Sequence, residues 1–154
     1  MYFEARKSVY KAKWDKEPTA LSYPAELKEF EDHVYARNFM CAETYYDIGY
    51  FRKVNCIHRW IINNCADGED HCQRVFMGKA KIHELGDAIN TVLADRTKAD
   101  ELLPTQRGFF FGDTEYDEWY FEDLKEAKVF FDMLCEFIDS EEGKDYDICY
   151  QASW

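Results

Sequence analysis

The chain has 154 residues with 47% hydrophobic and 18% aromatic content, enough apolar material for one folded core and too much for a disordered acidic tail. Its formal charge of −12 is concentrated: residues 113–147 hold 14 Asp/Glu against three Lys, which leaves residues 1–112 at −1. That acidity disfavours phosphate backbones as partners, so no direct nucleic-acid binding is expected, and it suits a basic protein surface instead. A solvated, solubilising helix face is the alternative reading of the same charge.

Residues 2–13 carry Tyr2, Phe3, Val9 and Tyr10 in loose alternation and are predicted to be extended. The segment Glu17 to Tyr23 reads as a connection, and Pro24 suits the first turn of a short helix over residues 24–38. Tyr50, Phe51, Val54, Ile57, Ile61, Ile62 and Cys65 recur at three- and four-residue steps, which predicts a helix from Tyr46 to Asn64. A polar stop follows at Asn63–Asp70. Cys72–Met77 is predicted as a short strand, Lys79–Ala94 as a helix with Ile82, Leu85, Ile89 and Val92 on one side, and Thr97–Leu103 as a further turn of helix.

The most distinctive stretch is LLPTQRGFFFGDTEYDEWY, residues 102–120, in which Phe109, Phe110 and Phe111 lie between Gly108 and Gly112. It is too short for a helix and lacks strand alternation, so it reads as a folded loop plugged into a core or pocket. Thr114 is then expected to cap a long helix over residues 115–139, with Asp117 three positions on. The apolar stripe of that helix runs through Tyr116, Tyr120, Leu124, Ala127, Phe131, Leu134 and Ile138. Asp147–Trp154 reads as a last strand that pairs, with the first segment, against Cys72–Met77. The expected fold is therefore α+β: a mainly helical single compact domain, residues 1–154, with four or so helices packed on a small antiparallel sheet.

No run of about 18 apolar residues is present and the N-terminus lacks a signal-peptide core, so a soluble, cytoplasmic protein is expected, with its six cysteines reduced. Arg52, Asn55 and Arg59, at i, i+3 and i+7, would share a helix face and hold an anion. The competing reading is that they pair with the surplus carboxylates. His58 sits in the apolar stripe and is either a satisfied core histidine or a base. Cys65, His71 and Cys72 lack zinc spacing, Asp67–Asp70 is not a calcium loop, and the Phe loop lacks the Lys-Ser/Thr of a phosphate loop. No metal, cofactor or catalytic residue is therefore assigned, and an enzyme with His58 as base and Tyr116 or Asp117 as partner is the least favoured class. Binding residues are sought at Arg52, Asn55, His58, Arg59, Phe109, Phe110, Phe111, Tyr116, Asp117 and Tyr120.

Two stretches carry a resemblance. Tyr50, Arg52, Lys53, Asn55, Ile57, His58 and Trp60, followed by Leu103, Pro104, Thr105, Gly108, Phe109, Phe110, Phe111, Gly112, Tyr116 and Asp117, are similar to motifs of a family of small proteins encoded by bacteriophages and prophages. Phe51 stands where that family has Trp, and the likeness spans roughly residues 46–139. The resemblance implies a phage context, a bacterial host cytoplasm and no transferable activity. Small phage proteins without catalytic motifs often act by binding, and that analogy gives two expectations. One is an inhibitor that docks a host defence protein through an acidic, aromatic surface. The other is a protein that sequesters an anionic, nucleotide-like molecule between the Arg52–Arg59 helix and the Phe loop. Homo-oligomerisation is left open.

Overall fold

A computed structural model describes residues 1–12, 25–30, 39–108 and 114–153. The strands are β1 (Tyr2–Ala12), β2 (Phe39–Tyr50), β3 (Val75–Met77) and β4 (Asp147–Gln151). They form one antiparallel sheet in the order β2-β1-β4-β3. The helices are α1 (Asn55–Cys65), α2 (Lys79–Ala94), the four-residue α3 (Ala99–Leu102) and the 22-residue α4 (Glu118–Asp139). The expected α+β organisation, four helices on a small antiparallel sheet, is what the chain adopts.

Register decides which sheet residues face the helices. Phe3 lies opposite Tyr150, which lies opposite Val75, and Ala5 opposite Ile148 opposite Met77. Because side chains alternate across a strand, these six share a face, and all are buried in the cluster with α1, α2 and α4. The opposite face carries Glu4, Cys149 and Phe76, with Arg74 Nε 2.9 Å from Glu4 Oε2 and the Phe76 ring 58% exposed. Gly49 has a packing reason: a Cβ there would lie 2.6 Å from the Phe130 ring. Phe130 itself meets Phe3, Phe51 and Phe131 at centroid distances of 5.0–5.3 Å.

Several boundaries differ from expectation. The helix predicted from Tyr46 starts only at Asn55, and Tyr46–Tyr50 end a 12-residue strand. The row Tyr45, Tyr46, Ile48, Tyr50 suits a strand as well as a helix, and pairing along β1 decides it. Lys53, in left-handed backbone with φ 66°, breaks the chain between the two elements. Within the expected helix 24–38, Ala25–Phe30 is a 3-10 turn and the remainder lies outside the described residues. The expected strand 72–77 is trimmed to Val75–Met77, and of the expected strand 147–154 the part observed is Asp147–Gln151, with Trp154 outside the described residues. The cap of α4 is Asp117 rather than Thr114: its carboxylate accepts from the Tyr120 N–H at 3.0 Å, while the Thr114 carbonyl accepts from the Thr105 hydroxyl. The remaining stripe residues, Tyr120, Leu124, Ala127, Phe131, Leu134 and Ile138, are buried as predicted, whereas Tyr116 precedes the helix and is 36% exposed.

Among the described residues no helix is long and apolar enough to cross a membrane, and no group of three or more His, Cys, Asp or Glu is placed to hold a metal ion. The five cysteines whose side chains are described are free thiols.

Candidate functional site

The polar residues in the first half of α1, Asn55, His58 and Arg59, turn inward, while Asn63 and Asn64 are exposed. Asn55, first residue of the helix, is buried, and its Oδ1 accepts from the Gln106 N–H at 3.2 Å. One turn on, Arg59 Nη1 donates to the Thr105 carbonyl at 2.6 Å. Asn55 and Arg59 thus grip the stem of the Phe loop. Arg52 lies before the helix on exposed backbone and does not join them. The three therefore do not form the shared anion-holding face expected of them.

The rest of the stem is held from α4 and its approach. Thr105 Oγ1 donates to the Thr114 carbonyl at 2.9 Å, joining the two ends of the loop. The Tyr116 hydroxyl donates to Asp100 Oδ1 at 2.7 Å, and the buried Tyr120 hydroxyl donates to the Leu103 carbonyl at 2.8 Å. Burial pushes the Tyr120 phenol well above its ordinary range and raises the Cys56 thiol to about 12, so neither is a ready nucleophile. Phe109, Phe110 and Phe111 lie outside the described residues.

His58 bonds partners outside this stem. Its ring is fully buried, with Nδ1 2.7 Å from the Tyr150 hydroxyl and Nε2 2.8 Å from Asp70 Oδ2. A carboxylate only accepts, so the neutral ring carries its hydrogen on Nε2 and receives the Tyr150 O–H at Nδ1. Burial is the main influence on the imidazole and lowers its pKa; Asp70 opposes that, and the Met1 ammonium adds to it. Tyr150 is also buried and its phenol is raised by the loss of solvent. The relay Asp70–His58–Tyr150 joins α1, the loop after it and β4, with Asp70 at its part-exposed end. Tyr116 and Asp117, the partners an enzyme reading would need, bond elsewhere. Asp70 and Tyr150 are absent from the sequence-based site, because only tertiary pairing brings them to His58.

The exposed chemistry lies on α4. Asp117, Trp119 and Asp123 line a cleft of about 290 Å³ together with Lys53, Glu115 and two residues sought from the sequence, Asn55 and Tyr120. Burial first, then Glu126 and Asp117, raise the Asp123 carboxyl, which marks local crowding of negative charge. Trp119 is 79% exposed, and at helical spacing its face continues through Glu122, Glu126, Val129, Met133 and Glu136. Val129 and Met133 are 62% and 65% exposed. From Trp119 to Glu136 this mixed row of large apolar and acidic side chains runs for ~25 Å. The acidity and the aromatic Trp119 are plain in the sequence, whereas Val129 and Met133, which sit off the buried stripe, are not.

Fold and surface together define a two-layer α+β domain whose buried polar groups around α1 are internally bonded and whose longest helix offers an acidic, apolar face to solvent. Comparison with known proteins returns no matching family model, no similar curated protein and no similar solved structure.

Proposed function

We propose that this is a phage-encoded, non-catalytic binding protein that docks on and inhibits a host protein through the solvent face of α4. The observation that carries this reading is Trp119, 79% exposed at the most acidic end of the helix, beside Glu115, Asp117 and Asp123. Trp is the side chain that contributes most to docking when it is buried by a partner, and its ring face attracts Lys and Arg. Carboxylates around it steer a basic surface and repel acidic ones. The phage assignment rests on the resemblance in residues 46–139.

The sequestering alternative has less support. Of the groups proposed to hold its ligand, Asn55 and Arg59 bond the Thr105–Gln106 backbone, and His58 is occupied by Asp70 and Tyr150.

The test is native mass spectrometry of the chain purified from infected bacterial lysate. A stoichiometric host protein is expected, released as salt rises from roughly 0.1 to 1 M and the screening length shrinks from ~10 to ~3 Å. The same protein should be missing from a Trp119→Ala preparation. A retained small molecule with no protein partner would overturn the docking reading in favour of sequestration.

A further inference from the structure

The helix layer is narrower than the sheet beneath it. Phe3 and Ala5 on β1 are covered, whereas Val9 farther along the same face is 37% exposed. On β2, Tyr46, which pairs with Ala5, is 56% exposed and Ile48 37%. β4 pairs with β1 only as far as Arg6, so the outer part of the β1–β2 arm runs past the shorter strands. Between that arm and α4 lies a groove of about 360 Å³, floored by Ala5 and Leu134. Tyr46 and Ile48 wall it on the sheet side, and Met133 and Phe137 on the helix side.

We infer that this groove seats an amphipathic helix of the partner protein, with an apolar face turned into the groove and lysine or arginine along its flanks. The inference rests on the docking reading above and names the element that docks. Geometry favours a helix: the groove is a lane bounded by a sheet face and a helix flank, and helices pack about 8–10 Å from each of those surfaces. A strand added to the edge of β2 would widen the sheet and leave the lane empty. Charge selects the flanks. Glu126 and Glu136 stand on either side of Met133 along α4, on a helix with six Asp/Glu after Glu118 and two Lys. A second copy, bringing another −12, would set α4 carboxylates against their like. An anionic lipid surface meets the same repulsion. A basic amphipathic helix, presenting apolar residues at i, i+3, i+4 and i+7, satisfies both halves of the groove.

The test uses defined probes. A Leu/Lys peptide of about 18 residues, long enough to be helical once bound, is compared with a scrambled peptide of identical composition whose leucines share no face. Fluorescence anisotropy should give the amphipathic peptide an affinity at least ~10-fold tighter than the scrambled one, and Met133→Glu and Tyr46→Thr should each weaken it by ~10-fold. Both altered side chains are more than half exposed, and an unchanged melting temperature confirms that the variants are folded. Equal affinity for the two peptides, or no loss in either variant, overturns the inference. Loss in Trp119→Ala without loss in Met133→Glu overturns the groove while leaving docking on the acidic face intact. Two further outcomes also overturn it: a concentration-dependent dimer in sedimentation that Met133→Glu abolishes, and uptake onto phosphatidylglycerol vesicles that the same variant abolishes.

Discussion

The surroundings of α1 and the solvent face of α4 invert the usual placement of side chains, with polar groups inside one and large apolar groups outside the other. Near α1, a histidine, an arginine, an asparagine and two tyrosines are all bonded within the molecule: His58 to Asp70 and Tyr150, Arg59 and Asn55 to the Thr105–Gln106 backbone, Tyr120 to the Leu103 carbonyl. On α4, a tryptophan, a valine and a methionine are left more than half exposed among carboxylates. A residue type that suggests chemistry is thus not where function is best sought. The inner groups secure the fold, and the apolar groups left in water mark the surface on which docking is proposed.

The comparison is broken most forcefully at its buried end. His58→Ala removes a fully buried ring, orphans the Tyr150 hydroxyl and takes from Asp70 the partner of its Oδ2, leaving the Cys72 N–H on Oδ1. It should cost about 3 kcal/mol from cavity and lost hydrogen bonds. Calorimetry should show a fall in melting temperature of roughly 10 °C for a chain of this size. A variant as stable as the parent would place His58 outside the framework.

A smaller effect is expected at the loop stem. Arg59→Ala leaves the Thr105 carbonyl without its donor and should cost about 1–2 kcal/mol. Limited proteolysis should then cut between residues 105 and 117 faster than in the parent, while amides in α2 keep their hydrogen-exchange protection.

Acid probes the relay more gently. Because burial lowers the His58 pKa from its ordinary 6.5, the unfolded chain binds a proton that the native chain resists. Stability is therefore full above that value and falls as pH drops through it toward the lower native pKa. Between about pH 7.5 and about pH 5 the parent should lose more stability than His58→Gln, whose amide does not titrate. Parallel curves would contradict the assignment. Asp70, Tyr150 and the Met1 ammonium face the same ring and define the electrostatics being read.

The smallest stability change belongs to the outer face. Trp119→Ala should shift stability by no more than about 0.5 kcal/mol, because an exposed side chain away from the core contributes little to folding. A large loss on denaturant titration would make Trp119 a structural residue and remove the contrast.

Much of this organisation is legible in the chain. The 3.6-residue repeat in Lys79–Ala94 and in residues 120–138 marks the buried faces of α2 and α4, because long helices repeat their pattern often enough to exclude other periods. β2 is not legible, since Tyr45, Tyr46, Ile48, Tyr50 and Phe51 fit two periods at once and only pairing with β1 decides between them. His58 announces that it needs partners, yet Tyr150 is 92 residues away and Asp70 hides in a run of acids. The outer face of α4 leaves a faint trace. Trp119, Glu126 and Met133 are seven apart, a second stripe masked by the stronger one on the buried side.

The most direct measurement places a photo-crosslinking phenylalanine analogue at Trp119 and, separately, at Phe76 on the opposite face of the sheet, which is 58% exposed. Illumination in infected bacterial cells should join one discrete host protein to position 119 and none to position 76, and raised salt before illumination of the lysate should abolish the product. A product from position 76 alone, or from neither position, would contradict the assignment of α4 as the docking face.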